Sequence, residues 1–254
     1  MLDSVFPVDG RIVIAIAAVL LSGFAKGVTG IGLPVIGVPI LVALYGDLRA
    51  VLLVTIISTV LSDVPFVVQG ARYWREATFL VSFVVAGFIG VVLGTHLLVT
   101  IPPQFLTLAL ACVLTVFIAI QWLNKMPRID RNTAARWGWL MGFLGGALQG
   151  STGSSGPFTT SYLVSMELPR PVFLFSLNTL FLILDWTLLV SLERLGFYTP
   201  YLYEVAGAIL AVVVIGMVVG FATGKRINDF IFRRGVLVVL GIAVLSLLYR
   251  SFRG

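Results

Sequence analysis

The chain has 254 residues, of which 59% are hydrophobic and only 11% are charged, and its mean hydropathy is +1.08. Soluble domains carry about 25% charged residues, so this composition excludes a soluble globular protein. The apolar residues form helix-length runs without the alternation of an outer-membrane barrel, which predicts an all-α polytopic membrane protein. The net charge of +6 falls mostly in short loops between apolar runs and therefore indicates no nucleic-acid partner.

Ten apolar segments follow one another, and four of them form two short pairs. These pairs are 11–25 with 33–45 and 137–149 with 157–166. A helix of about 13 residues reaches only about 20 Å, which is less than the roughly 30 Å of a bilayer core. We interpret each pair as a bent unit, either a re-entrant hairpin or two short tilted helices that meet at a glycine-rich break. The other segments are predicted to be full-length spans at 49–69, 77–98, 103–123, 171–191, 203–223 and 235–249.

The two halves of the chain resemble each other beyond the short pairs. DLRAV follows the first pair and ELPRPV follows the second, and Asp63 and Asp185 then occur within the next span of each half. Later spans contain GVVLG at 90–94 and GMVVG at 216–220, a small-residue pattern that allows two membrane helices to approach closely. The chain is therefore predicted to be one membrane domain, residues 1–254, with a first repeat at about 11–123, a basic linker at 124–136 and a second repeat at about 137–250.

The orientation in the membrane follows from the lysines and arginines. If each bent unit enters and leaves on the same face, most basic residues share one face, which the positive-inside tendency makes cytoplasmic. Loops 70–76, 124–136 and 224–235 are then cytoplasmic, the two repeats are inverted, and the protein belongs in the inner cell membrane. The cytoplasmic face would hold Arg72, Arg75, Lys125, Arg128, Arg131, Arg136, Arg170, Lys225, Arg226, Arg233 and Arg234, and the other face Arg11, Arg49, Arg194, Arg250 and Arg253.

The glycine breaks have the properties of an anion site. A helix that restarts at Pro34 or Pro157 offers free N–H groups and about half a positive charge. Irregular backbone at membrane depth must line protein or a wet cavity, so we expect the breaks to line one. Lys26 supplies an ammonium group there, without a carboxylate. The predicted solute-binding residues are Lys26, Gly27, Thr29, Gly30, Gly32 and Pro34 in the first break, Gln149, Gly150, Ser151, Thr152, Gly153, Ser154, Ser155, Gly156 and Pro157 in the second, and Asn178.

Other interpretations of these residues stay open. The glycines could serve close helix packing, and Lys26 could extend to the interface. Asp63 and Asp185 could carry a coupled proton, bond the broken segments structurally, or lie at the interface. The single histidine, His96, and the single cysteine, Cys112, do not provide the ligands of a structural zinc site, so neither a metal nor a cofactor is expected.

The G-x-x-x-G-x-x-G-x-G-x-P pattern at 23–34, its second copy ending in GSSGP at Pro157, and the duplication of four segments resemble the TauE/SafE family of sulfite and organosulfonate exporters. The resemblance covers nearly the whole chain. It implies a secondary transporter rather than an enzyme, which moves sulfite, organosulfonates or related sulfur-containing anions without ATP, usually outward. The first break departs from the family's commonest pattern, since Ile31, Gly32, Leu33 and Pro34 are poorer in glycine and polar residues.

Two other functions are weighed against transport by a carrier. An anion channel also places helix ends on the ion path, but a duplicated site that alternates between two sides favours a carrier. An intramembrane serine protease could use Ser155 in GSSG, but His96, the base it would need within hydrogen-bond reach, lies in the other repeat. The expected partners are the lipid bilayer and a small anionic substrate, and a homo-oligomer stays open.

Overall fold

A computed structural model describes residues 10–123, 130–224 and 229–253 of the chain. Within these ranges every regular element is helical, which confirms the predicted all-α fold class. The linker residues Lys125 and Arg128 and the loop residues Lys225 and Arg226 lie outside the described ranges. The helices are α1 Arg11–Thr29, α2 Gly37–Tyr45, α3 Leu48–Gly70, α4 Leu80–Thr100, α5 Pro103–Leu123, α6 Arg131–Thr152, α7 Gly156–Val164, α8 Arg170–Arg194, α9 Pro200–Thr223 and α10 Asp229–Arg253, with a 3-10 helix at Ala71–Ala77.

Five helices of the described residues are long and apolar enough to cross a membrane, namely α1, α3, α4, α8 and α9. The prediction of full-length spans is confirmed for the last four of them. Helices α5 and α10 have 21 and 25 residues, and the described apolar stretches within them are Pro103–Ala119 and Arg234–Tyr249. The prediction that each pair opens with a short helix is wrong, because α1 has 19 residues and α6 has 22.

Helix α1 continues through Gly27 to Thr29, beyond the predicted end at 25, and α6 continues through Gly150 to Thr152, beyond the predicted end at 149. Helix α6 also begins earlier than predicted, at Arg131, inside the segment 124–136 that was predicted to be a linker. Gly142, Gly146 and Gly150 of α6 lie against the backbone of α4, and a Cβ on Gly146 would collide with the carbonyl oxygen of Gly87. Gly90 and Gly94 of α4 face α6 in the same way. Glycine permits this approach because it has no side chain between the two backbones.

The same packing joins α1 to α9. Gly23 and Gly27 of α1 lie against the backbone of α9, and Gly216 and Gly220 of α9 lie against α1. The close approach predicted for GVVLG and GMVVG is therefore confirmed. Each of these two helix pairs joins an element of the first half to one of the second, which interlocks the halves in a single packed body.

The contacts between helices establish their relative directions. Helix α9 runs parallel to α3, because Tyr198 donates a hydrogen bond to the Leu53 carbonyl, Ser58 donates one to the Ala206 carbonyl, and the rings of Phe66 and Phe221 are 5.1 Å apart. In the pairs α1–α9 and α4–α6, the contacting residues increase in number in the same direction along both helices, so these pairs are parallel.

The helix ends define two faces of the molecule. On the Arg49 face, α3 begins and α4 ends, and Arg49 donates a hydrogen bond to the Leu98 carbonyl at 2.6 Å. On the Arg170 face, α3 ends and α8 begins, and Gly70 packs against Phe175. Helices α1, α3 and α9 run from the Arg49 face to the Arg170 face, whereas α4, α6 and α8 run the other way.

Each short helix turns back along the long helix before it. Gly37 at the start of α2 lies beside Ser22, and Tyr162 near the end of α7 bonds the Ala134 carbonyl near the start of α6. The restart predicted at Pro157 is confirmed, since Pro157 lies in the first turn of α7. The restart predicted at Pro34 is wrong, because the Val35 and Ile36 N–H groups bond the Gly32 carbonyl in a turn that precedes α2.

Candidate solute-binding site

The two breaks between the long and short helices lie against each other in the interior. A Cβ on Gly156 of the second break would collide with the side chain of Val35 in the first. Asn178 of α8 lies beside Gly30, and its amide nitrogen would be 3.0 Å from a Cβ added there. The tertiary structure thus brings together the first break, the second break and Asn178, which sequence analysis assigned to one site.

Each break begins in the same way, at a glycine in the left-handed region. Gly30 has φ +80° and Gly153 has φ +68°. Their N–H groups bond the carbonyls of Lys26 and Gln149, both at 2.8 Å. Glycine is favoured here because a side chain at positive φ is strained. The two turns place Lys26 and Gln149 at equivalent positions, one turn before the end of a long helix.

Lys26 forms a buried ion pair with Asp63 of α3. The distance from Lys26 Nζ to Asp63 Oδ1 is 2.6 Å, and the two side chains are only 2% and 0% exposed. The prediction that Lys26 is a cation without a carboxylate is therefore wrong. The alternative that Lys26 extends to the interface does not fit its burial. A buried ammonium needs such a partner, because an uncompensated charge in the interior is costly.

Gln149 and Asp185 repeat this arrangement with a neutral partner. The Gln149 amide nitrogen donates to Asp185 Oδ1, and Gln149 Oε1 accepts from the Ser155 backbone N–H at 2.7 Å. The partners are 36 residues apart in sequence, against 37 for Lys26 and Asp63. This near-equal spacing in the two halves is a signal in the sequence that could have indicated the pairing.

Several buried polar atoms around the breaks have no hydrogen-bond partner among the residues that the structure describes. Native interiors leave few such atoms unpaired, so this concentration marks a place where a polar solute would complete the bonding. The atoms are Asp63 Oδ2, Asp185 Oδ2, Asn178 Oδ1 and the hydroxyl oxygens of Ser154, Ser155, Thr159, Thr160, Ser176 and Thr179.

Other predicted site residues use their polar groups within their own segments. The hydroxyls of Ser151 and Thr152 donate to carbonyls of the preceding turn, each at 2.8 Å, and Thr29 does the same at 2.9 Å. Gly27 and Gly150 pack against neighbouring helices, as the packing interpretation had it. Gly32 packs against the Lys26 side chain, and a Cβ added to Gly32 would lie 2.8 Å from the Lys26 Cβ. Among the predicted side-chain donors, this leaves the hydroxyls of Ser154 and Ser155 unpaired.

The buried charges near the breaks do not favour an anion by themselves. Among the described residues, the buried charged side chains are Lys26, Asp63 and Asp185. One ammonium and two carboxylates sum to −1 if all are ionised. An added anion would therefore meet a net negative site unless a proton or another cation accompanied it.

A cavity of about 300 Å³ opens beside the first break, near the Arg170 face. Its walls come from the end of α1, the first break, α7, α8, α5 and α10, and Arg170 is the charged residue among them. From the sequence, Arg170 was predicted only to lie on the cytoplasmic face. Its counterpart in DLRAV, Arg49, is half-buried and bonded to Leu98 at the opposite face.

Comparison with protein families finds a match over most of the chain. The profile of the family described as sulfite exporter TauE/SafE matches residues 15–247, which is nearly the whole chain. Searches of curated proteins and of solved structures find no significant match.

Proposed function

Because the chain belongs to the sulfite exporter TauE/SafE family, we propose that it is a secondary carrier that exports small sulfur-containing anions such as sulfite or organosulfonates. Membership makes it a membrane transporter of the sulfite-exporter type. The proposal adds alternating access, without ATP, and a solute held between the two breaks.

The observation that carries this proposal is the contact between the two breaks amid unpaired buried hydroxyls. Ser154 and Ser155 are both 0% exposed and unpartnered, and hydroxyl groups are suitable donors to sulfite or sulfonate oxygens. Helix α7 starts directly after them, so its N-terminus adds a partial positive charge beside the solute. Unpaired donors next to a helix start support anion binding better than cation binding.

Charge balance supports a coupled proton. Binding an anion to a site with one ammonium and two carboxylates becomes favourable when one carboxylate is protonated. Asp185 is the better candidate, because its partner Gln149 is neutral, whereas the ammonium of Lys26 favours the charged form of Asp63. In this mechanism Asp63 keeps Lys26 in place, and Asp185 takes up and releases the proton.

The difference between the two faces supports alternating access. A cavity opens beside Arg170, while the equivalent Arg49 is bonded to the Leu98 carbonyl. Arg72, Arg75, Arg136 and Arg234 lie at helix ends on the Arg170 face, so the positive-inside tendency makes this face cytoplasmic. The opposite directions of α1 and α6 are those of an inverted repeat. The conformation is then inward-facing in the cell membrane.

The two alternative functions receive less support. A channel needs a continuous path through the centre, where Val35 of the first break packs against Gly156 of the second. A protease needs a base beside Ser155, and the Ser155 hydroxyl has no partner among the described residues, while His96 is exposed in a groove between α4 and α8.

Sulfite counterflow in proteoliposomes tests the proposal. Wild-type protein is expected to exchange internal for external labelled sulfite, and the double variant Ser154→Ala/Ser155→Ala to raise the half-saturating sulfite concentration by about tenfold or more, which corresponds to about 1.4 kcal/mol. Ser151→Ala is the matched control, because the Ser151 hydroxyl bonds its own helix. Wild-type protein without sulfite exchange, or equal effects of the double variant and the control, would refute the proposal.

A further inference from the structure

The cavity beside Arg170 differs chemically from the polar centre at the breaks. Its walls are mostly apolar, with Ile31 and Val35 on one side and Phe117, Phe173 and Leu240 on others. Polar side chains enter its lining at Arg170, Thr29 and Thr160. At about 300 Å³ it reaches the lower end of the size range of small-molecule sites, which is larger than an inorganic oxyanion requires.

Two of these polar side chains are available to a ligand. Thr160 is 3% exposed, and its hydroxyl has no partner among the described residues. Arg170 uses one N–H group to bond the Val28 carbonyl at 3.2 Å, and a guanidinium has five donors. The hydroxyl of Thr29, in contrast, is already bonded to the Ala25 carbonyl.

The start of α8 adds to the positive character of this corner. Arg170 is the first residue of a 25-residue helix, and Phe173 and Leu174 of its first turns line the cavity. A helix N-terminus and a guanidinium together favour a negative group. The Arg170 guanidinium can balance one negative charge, and the apolar walls penalise a second charge, which would lose its hydration there.

We propose that this cavity is a second binding site, which takes a monovalent organic anion with a short apolar body. The anionic head lies between Arg170 and Thr160, and the apolar body lies against Val35, Phe117 and Leu240. Val35 lines this cavity and also contacts Gly156 of the second break, so the second site lies next to the proposed central site. The inference rests on the proposed function for the route that the anion takes. An organic anion would bind here before it reaches the centre, whereas sulfite would gain little from the apolar walls.

Calorimetric titration of the purified protein in neutral detergent with a series from methanesulfonate to butanesulfonate tests this site. The Kd is expected to fall about fourfold for each added methylene, since a buried methylene contributes about that factor. Arg170→Gln should raise the Kd for butanesulfonate by about tenfold or more, and Thr160→Val by about threefold. Arg194→Gln, which removes an exposed arginine at the other end of α8, is the matched control and should leave the Kd unchanged.

Three outcomes would overturn the inference: a Kd that does not depend on chain length, equal Kd values for wild type and Arg170→Gln, or displacement of butanesulfonate by phosphatidylglycerol, which would assign the cavity to lipid. If Arg170→Gln does not fold, Thr160→Val and the chain-length series decide. A flat series with intact sulfite counterflow refutes only the second site. A steep series without sulfite counterflow refutes only the proposed function.

Discussion

The buried ion pair between Lys26 and Asp63 gives the sharpest test of the structure. Asp63→Asn removes the charge that compensates Lys26, while Asp185→Asn removes a carboxylate whose partner, Gln149, is neutral. Breaking a buried pair on one side costs about 3–5 kcal/mol. An asparagine at 185 can still accept the Gln149 bond, so its cost should stay near about 1 kcal/mol.

The two substitutions therefore differ by about 2–4 kcal/mol in the free energy of unfolding. At about 2–4 °C per kcal/mol for a chain of this size, Asp63→Asn should melt roughly 4–16 °C below Asp185→Asn. The assay is thermal unfolding in detergent, followed by intrinsic tryptophan fluorescence, on samples that elute as a single species in size-exclusion chromatography.

The double variant Lys26→Gln/Asp63→Asn completes the test. It removes both charges of the pair and places glutamine at position 26, as at the equivalent position 149. It should therefore recover at least half of the stability lost in Asp63→Asn. Equal melting temperatures for Asp63→Asn and Asp185→Asn, or a double variant less stable than Asp63→Asn, would refute the reasoning about a charge-compensating pair.

Two further predictions concern packing and coupling. Gly146→Ala should lower the free energy of unfolding by about 1–3 kcal/mol, because its Cβ meets the Gly87 carbonyl; Gly207→Ala, where nothing lies within 4 Å, is the control, and equal melting temperatures would contradict the packing. Asp185→Asn should retain sulfite counterflow but lose its stimulation by a pH gradient, measured in the same proteoliposomes; a variant that still responds fully to the gradient would exclude Asp185 as the proton carrier.

The pairing of buried side chains shows where sequence reasoning reached its limit. The equivalence of Asp63 and Asp185 was visible in the sequence, and so was the equivalence of the two breaks. That Lys26 bonds Asp63, and Gln149 bonds Asp185, was not inferred, because the partners lie on different helices. The cavity beside Arg170 was equally hard to predict, since its walls include residues of α1, α5 and α10, which are distant from Arg170 in sequence.

The glycines show a second limit of prediction from sequence. A glycine-rich run predicts a weakened helix in water, and on that basis α1 and α6 were expected to end early. In the tertiary structure another backbone lies where each side chain would be, so Gly27 and Gly146 stabilise helix contacts instead of ending the helix. Only Gly30 and Gly153, with positive φ, mark the true breaks.

The sequence by itself determined that the chain is a helical membrane protein with two similar interrupted regions, because hydropathy and glycine and proline placement act locally along the chain. Only the tertiary structure decided which glycines interrupt a helix, which buried charges compensate each other and where a cavity opens. These properties depend on the distance between atoms of different helices. A buried charge is tolerated only beside a group that compensates it, and a glycine stabilises a helix contact only where another backbone lies against it.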